Sequence, residues 1–213
     1  MNERTKSWMK RNGPLIVIAG FAILALLYLG DDIVNQRSER LSLTPIPPTV
    51  SSDDPYQGTQ DALVIIVEFG EFSCEACAEE VSVLKDIIND YGENVLLVWK
   101  DAPLDSLNAE SRLASVAAQC ANKQDKFWEM QEALFTKQDE LGRDLYLSTA
   151  KDLGLDVDEF TSCFDNRETN KIIDNNIEAA DAGLVSATPT FFINDVKYEG
   201  YMEYSDFIAA FNS

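Results

Sequence analysis

Two closely spaced cysteines carry the most direct chemical signal in this chain. Cys74 and Cys77 enclose only Glu75 and Ala76. A pair at this spacing serves as a redox-active dithiol, as half of a zinc site, or as an inert disulfide. A structural zinc ion needs four ligands. The chain has no histidine and only two further cysteines, so its composition disfavours zinc and makes the redox dithiol the leading interpretation.

The residues around the pair predict a strand that leads into a helix. Residues 62–69 read ALVIIVEF, a run typical of a strand buried on both faces. Ser73 is a suitable N-cap, and Gly92 a suitable end, for a helix that starts at the pair. Unpaired N–H groups at a helix N-terminus stabilise a thiolate. We therefore expect Cys74 to be the exposed nucleophile and Cys77, one turn deeper, to be the resolving cysteine.

The overall composition excludes several classes of function. Among 213 residues, 17 Lys and Arg stand against 37 Asp and Glu, which gives a net charge of −20. A nucleic-acid-binding protein needs a basic face, so no nucleic-acid partner is expected. The absence of histidine excludes Ser-His-Asp hydrolases, Cys-His proteases and His-ligated metal sites. We expect neither a metal ion nor an organic cofactor.

The N-terminal segment predicts a membrane anchor. Residues 14–30 read PLIVIAGFAILALLYLG and carry no charge, whereas residues 1–13 contain four Lys and Arg. This pattern favours a single transmembrane helix at the short end of the usual length, with residues 1–13 as a cytoplasmic tail. A cleaved signal peptide is the alternative. Both interpretations place the remainder of the chain outside the cytoplasm.

The rest of the chain divides into a linker and one folded domain. Residues 31–60 are rich in Pro and Ser, which favours an extended tether. The domain is expected to span residues 61–213. Its elements are predicted in the order βαβ, a helical block at about residues 106–165, a long helix, and then ββα.

Four features together resemble the thioredoxin fold and, within it, the membrane-anchored bacterial type of DsbA-like thiol-disulfide oxidoreductase. They are the opening VIIVEFGEFSCEAC, Glu68 six residues before Cys74, the segment ATPTFFIN with Thr188 and Pro189, and a helical insertion containing AAQCANKQDKFWEMQEALF. The resemblance covers about residues 60–212. It implies an α/β thioredoxin fold with an inserted helical subdomain, preceded by one N-terminal transmembrane helix.

The resemblance also implies roles for three residues beside the cysteines. Glu68 would relay protons to Cys77, in agreement with the cost of burying an unpaired carboxylate in an apolar strand. Pro189 would follow a cis peptide bond, and the backbone of Thr188 would pair with an extended substrate. The alternative for Glu68 is a carboxylate at a strand edge whose hydrogen bonds are all made. The alternative for Thr188 and Pro189 is that they only begin a strand.

The sequence departs from the strong oxidants of that family between the cysteines. Those enzymes commonly carry Pro-His there, whereas this chain has Glu75 and Ala76. Further acids stand at Glu71, Glu79 and Glu80, with no Lys or Arg between residues 71 and 80. Like charge disfavours a thiolate, so we expect a higher pKa for the Cys74 thiol and a weaker oxidant than the most acidic members.

Cys120 and Cys163 lie on predicted helices of the insertion. In an oxidising compartment two remaining cysteines usually pair, so a structural disulfide is expected. DsbA-like proteins with such an insertion often carry a second pair. A regulatory or electron-relay pair and two free buried thiols are the alternatives.

These observations predict a protein disulfide oxidoreductase that works through Cys74 and Cys77. Its substrates would be exported unfolded or cysteine-containing proteins, and its redox partner would lie in the membrane. We expect a single-pass protein of the bacterial inner or plasma membrane, with its C-terminal domain periplasmic or extracellular. Disulfide formation is the favoured direction, and a reductase or isomerase, or a non-catalytic binding module, are the alternatives.

Overall fold

The computed structural model describes residues 44–103 and 109–212. The strands of these ranges are β1 (Tyr56–Gly58), β2 (Val64–Gly70), β3 (Val95–Asp101), β4 (Thr190–Ile193) and β5 (Val196–Glu199). The helices are α1 (Glu75–Tyr91), α2 (Ala109–Asn122), α3 (Phe127–Thr136), α4 (Arg143–Asp152), α5 (Val157–Asp165), α6 (Asn170–Ala182) and α7 (Tyr204–Phe211), with a short 3-10 turn at Gln138–Glu140.

The predicted anchor at residues 14–30 and the predicted tail at residues 1–13 lie outside the described residues. Among the helices that the structure does describe, none has the length and apolar character needed to cross a membrane.

One mixed sheet organises the fold, with the strand order β1-β3-β2-β4-β5. β2 and β3 are parallel, and α1 connects them, whereas the other neighbouring strands are antiparallel. Glu68 in β2 lies opposite Trp99 in β3 and Phe191 in β4. The predicted βαβ and ββα halves are confirmed, and they meet where β2 pairs with β4.

Alternate side chains of the strands build two apolar layers. Ile66 and Ile193 pack with Leu84 of α1 and Phe207 of α7 on one face of the sheet. The next residues along the strands, among them Val67 and Phe192, pack with Ala180 of α6 on the other face. Because side chains alternate along a strand, Glu68 shares the face of Ile66, which α1 and α7 cover.

The helical insertion packs against the end of the sheet that carries the cysteines. Phe72 and Trp99 lie in one buried cluster with side chains of α2 to α5. The Phe72 ring centroid is 5.4 Å from that of Trp99 and 5.1 Å from that of Phe135 in α3. The insertion is therefore fixed to the residues directly before Cys74.

The folded domain begins earlier than the sequence predicts. Tyr56–Gly58 forms an edge strand that pairs with β3, although these residues fall in the predicted linker. Asp54 is 3% exposed, and its carboxylate accepts a hydrogen bond from Lys100 at 2.7 Å. The predicted boundary at residue 61 is therefore wrong, because a strand of three residues has too little hydrophobic periodicity to mark itself in the sequence.

Candidate active site

Cys74 itself caps the N-terminus of α1. Its backbone is extended, with φ −82° and ψ 115°, and its Sγ accepts a hydrogen bond from the Cys77 N–H at 3.1 Å. The prediction that Ser73 would be the N-cap is wrong, because the Ser73 hydroxyl donates instead to Glu71 at 2.6 Å. The helix therefore directs a backbone donor at the sulfur that has to bear negative charge.

The two cysteines occupy different environments. Both are free thiols, with Cys74 partly exposed and Cys77 fully buried. A hydrogen bond from the Cys77 thiol is the main reason that the pKa of Cys74 falls to about 6, while partial burial and the Glu71 carboxylate oppose that fall. Cys74 is therefore the more accessible and the more acidic thiol of the pair at neutral pH, which are the properties that a nucleophilic cysteine needs.

Burial has the opposite effect on the second cysteine. It raises the pKa of Cys77, and the hydrogen bond to Cys74 and the nearby Glu68 carboxyl raise this pKa further. Cys77 therefore stays protonated at neutral pH, and it would need a proton acceptor to react as a thiolate.

The acids near the pair do not raise the pKa of Cys74 above its ordinary value. Glu71 does oppose the thiolate, as the sequence predicts, but the hydrogen bonds at the helix N-terminus outweigh it. The resulting pKa of about 6 lies between about 7 for thioredoxin and about 3.5 for DsbA. Cys74 is accordingly less acidic than the thiol of the strongest oxidants.

The Thr188–Pro189 segment lies directly beside Cys74. The peptide bond between these two residues is cis. The Cys74 thiol donates to the Thr188 carbonyl oxygen at 3.3 Å, and the Gly200 N–H donates to the Pro189 carbonyl oxygen at 2.8 Å. The residues directly before β4 therefore form one wall of the site and place the backbone of Thr188 against the Cys74 sulfur.

Glu68 lies beneath the pair, in the layer between the sheet and α1. Its side chain is 1% exposed, and its Oε2 has no hydrogen-bond partner within the described part of the chain. Burial raises the pKa of Glu68 well above its ordinary value, and the charges of Glu80 and Cys74 raise it further. A protonated carboxyl next to Cys77 is suited to exchange a proton with that thiol.

The buried carboxyl of Glu68 should make stability fall as pH rises. Between the ordinary pKa of 4.5 and the higher pKa in the fold, the folded state holds a proton that the unfolded state has released. We expect Glu68→Gln to gain roughly 1–3 kcal/mol of unfolding free energy over the wild type above neutral pH, and little at low pH. Urea unfolding of both proteins across pH checks this. A difference that does not change with pH would contradict it.

The structure joins the remaining two cysteines. Cys120 of α2 and Cys163 of α5 form a disulfide with a Cα–Cα distance of 5.9 Å, and both side chains are buried. This disulfide therefore lies within the core of the helical insertion, where neither sulfur is open to solvent.

Gln138 also contacts the site, although its place in the sequence does not predict this. Its side-chain amide donates to the carbonyl oxygens of Phe72 and Cys74, each at 2.8 Å. The 3-10 turn of the insertion thereby holds the backbone carbonyl groups of the two residues on either side of Ser73. No sequence signal marks this contact, because a single glutamine in a short turn resembles any solvated residue.

A polar cleft of about 670 Å3 opens beside the first turn of α1. It extends from the first turn of α1 to the 3-10 turn, and its lining residues are Ser73, Glu75, Phe135, Thr136, Lys137, Gln138, Asp139 and Glu140. The cleft borders both residues that flank Cys74 in the sequence, Ser73 and Glu75, and is wide enough for side chains of another molecule.

Two solved structures show the same fold at low sequence identity. A thioredoxin-like oxidoreductase from Silicibacter pomeroyi superposes with a TM-score of 0.70 at 24% identity, covering 76% of this chain and 92% of that one. The thiol-disulfide exchange protein alpha-DsbA2 from Wolbachia pipientis gives a TM-score of 0.69 at 24% identity, covering 76% and 87%.

Comparison with known protein sequences finds a longer relative and a matching protein family. The Na(+)/H(+) antiporter NhaA 3 from Salinispora tropica is 34% identical over 158 residues, which are 74% of this chain and 24% of that protein. The chain thus spans about a quarter of the length of the curated relatives it matches. The sequence model of the thioredoxin family matches residues 50–212, three quarters of the chain. On that match, and on the sheet and cysteine geometry above, the chain belongs to the thioredoxin family.

Proposed function

We propose that this protein is a thiol-disulfide oxidoreductase that exchanges disulfides with cysteine-containing proteins outside the cytoplasm. The observation that carries the proposal is the asymmetry of the pair at the start of α1. Cys74 is accessible and has a pKa of about 6, whereas Cys77 is buried and its pKa is raised. Cys74 can thus attack a disulfide or be attacked by a thiolate, whereas Cys77 reacts only with the sulfur of Cys74.

In the favoured direction the pair oxidises its substrate. A substrate thiolate attacks Cys74 in the Cys74–Cys77 disulfide, and Cys77 leaves as a thiolate that takes a proton from Glu68. A second substrate thiolate then attacks the substrate sulfur of the mixed disulfide and displaces the Cys74 thiolate. The substrate loses two electrons and the pair gains them.

The roles of the neighbouring residues follow from their places. Glu68 holds or accepts the proton of Cys77, and the backbone of Thr188, before Pro189, aligns an extended substrate beside Cys74. Cys120 and Cys163 serve as a structural disulfide and take no part in exchange. We propose no metal or cofactor.

A redox partner has to restore the disulfide of the pair after each cycle. We propose a membrane protein in this role, because residues 14–30 have the composition of an anchor. The domain would then lie on the outer side of the bacterial inner or plasma membrane. The antiporter name of the relative belongs to a chain about three times as long, of which the match covers 24%, and we propose no ion transport for this one.

The reverse direction is the second candidate. A pKa of about 6 for Cys74 lies closer to that of thioredoxin than to that of DsbA. A reduced pair would attack a substrate disulfide through Cys74, and Cys77 would then release the substrate as a dithiol. A reductase of this kind would need a membrane electron donor in place of an oxidant.

One exchange assay tests the function and its direction. The full-length protein is prepared with its pair oxidised and mixed in equal amount with a reduced, unfolded protein that contains several cysteines. We expect substrate thiols to disappear faster than with glutathione disulfide alone, while Cys74 and Cys77 become open to alkylation. Unchanged substrate thiols would contradict the oxidase. If the reduced protein also failed to reduce a disulfide-bonded substrate, the binding-module alternative would remain.

A further inference from the structure

A second acid lies on the buried face of α1. The buried residues of this helix are Cys77, Glu80, Leu84 and Ile87, a spacing that places all four on one face. Glu80 is 0% exposed. A carboxylate at such a position is costly unless it is protonated or paired, so its presence in an otherwise apolar row needs a physical reason.

Only one of the two carboxyl oxygens of Glu80 has a hydrogen-bond partner within the described part of the chain. Its Oε2 accepts a hydrogen bond from the Met202 N–H at 3.0 Å. Its Oε1 has no hydrogen-bond partner among the residues that the structure describes, and the same holds for Oε2 of Glu68. Two buried acids with one unpartnered oxygen each are therefore present around the active site.

Both acids point into the same layer. Glu68 projects from the face of β2 that α1 covers, and Glu80 projects from the face of α1 that packs on the sheet. Each is close enough to the other for their charges to interact. Glu80 follows Cys77 by three residues and so neighbours it on the helix surface.

Within residues 44–103 and 109–212, no cation is among the groups that interact with Glu80. Asp206 of α7, Glu79 of α1 itself and Tyr201 in the loop before α7 are the titratable groups that interact with it besides Glu68. All three are exposed, whereas Glu68 and Glu80 are not. Burial raises the pKa of Glu80 to about 7, against the effect of the Met202 N–H.

We propose that Glu80 is a positioning residue that forms one coupled carboxyl pair with Glu68 beneath Cys77. The proposal rests on the exchange function above. When a mixed disulfide is resolved, the Cys77 thiol gives its proton to this pair through Glu68. The Cys77 sulfur then bonds to the Cys74 sulfur, and the substrate sulfur leaves with the bonding electrons. Glu80 acts through Glu68, because its negative charge decides how readily Glu68 takes and keeps that proton.

A chromogenic disulfide separates the two chemical steps. Reduced full-length protein mixed with dithiobis(nitrobenzoate) releases one coloured thiolate when Cys74 attacks and a second when Cys77 resolves the mixed disulfide. The pH dependence of the second phase reports the proton acceptor. Glu80→Gln keeps an acceptor for the Met202 N–H but removes the charge, and Glu79→Gln makes the same chemical change on the exposed neighbour.

We expect the second phase of the wild type to follow two coupled ionisations. In Glu80→Gln the rise of the second-phase rate with pH should begin at lower pH and should follow a single ionisation. The second phase should therefore be several-fold faster than in the wild type at about pH 7.5. Glu79→Gln removes an exposed charge that water and salt screen, so it should move the profile much less than Glu80→Gln does. Glu68→Gln should slow the second phase, and adding Glu80→Gln to it should change nothing further.

Three results would overturn the inference. The first is a wild-type pH profile with a single ionisation, a result that does not depend on whether any variant folds. The second is an unchanged pH profile in a folded Glu80→Gln protein. The third is a shift of the profile by Glu80→Gln that persists when Glu68 is already replaced by glutamine. The last would mark a purely structural role of Glu80. If no thiolate is released by the wild type at all, the exchange function fails instead, and the role of Glu80 fails with it.

Discussion

Replacing Cys77 by serine should trap substrate proteins on Cys74, whereas replacing Cys74 by serine should reduce exchange to the uncatalysed level. Cys74 is the thiol that is both accessible and acidic, and Cys77 is buried behind it. Without Cys77 the mixed disulfide has no internal thiol to resolve it, so it accumulates. Without Cys74 the remaining sulfur is shielded from a protein substrate and stays protonated.

Gel mobility without reductant, followed by mass spectrometry, measures the trapped species. The double variant Cys74→Ser/Cys77→Ser is the matched control, because it keeps Cys120 and Cys163 and should trap nothing. Substrate bound to Cys74→Ser as strongly as to Cys77→Ser would contradict the assignment of the nucleophile.

Replacing Cys120 and Cys163 by alanine should cost the fold about 3–4 kcal/mol of unfolding free energy. The disulfide closes a loop with a sequence separation of 43 residues, and loop closure of that size restricts the unfolded chain by about this amount in the chain-entropy model. For a urea slope of about 2 kcal/mol/M the midpoint would fall by roughly 2 M.

Urea unfolding of the oxidised protein checks the cost of the lost disulfide. The matched control is Cys74→Ala/Cys77→Ala, since a disulfide between these two cysteines encloses only Glu75 and Ala76 and restricts the unfolded chain little. Equal midpoints for the disulfide variant and the wild type would contradict a structural role. Exchange by the folded variant should persist, because Cys120 and Cys163 are not part of the pair.

Local patterns in the sequence predict the strand, the cysteine pair and the helix at the centre of the site. The apolar run of β2, the spacing of Cys74 and Cys77 and the amphipathic row of α1 each depend on neighbours in sequence, so they can be recognised without a structure. The same row also contains the signal for Glu80, since its position between Cys77 and Leu84 already predicts burial. Glu80 thus differs from Glu75 and Glu79, whose places on the helix predict exposure.

Other features depend on contacts that no local pattern encodes. Gln138 contacts peptide groups more than sixty residues earlier in the chain, and β1 is a strand only because β3 offers it an edge. The N-cap was mispredicted because serine is the better cap by propensity, whereas here Glu71 engages the Ser73 hydroxyl. Tertiary partners decided all three outcomes.

Equilibrium titration of the full-length protein against glutathione tests the exchange function most directly. Alkylation and mass spectrometry would count the thiols at each potential, with Cys74→Ser as the control. We predict that Cys74 and Cys77 change together in a reversible two-electron transition, with a midpoint between about −270 and −120 mV, while Cys120 and Cys163 stay bonded. A midpoint toward −120 mV favours disulfide formation, and one toward −270 mV favours reduction. A pair that remains entirely reduced or entirely oxidised across this range would contradict the account.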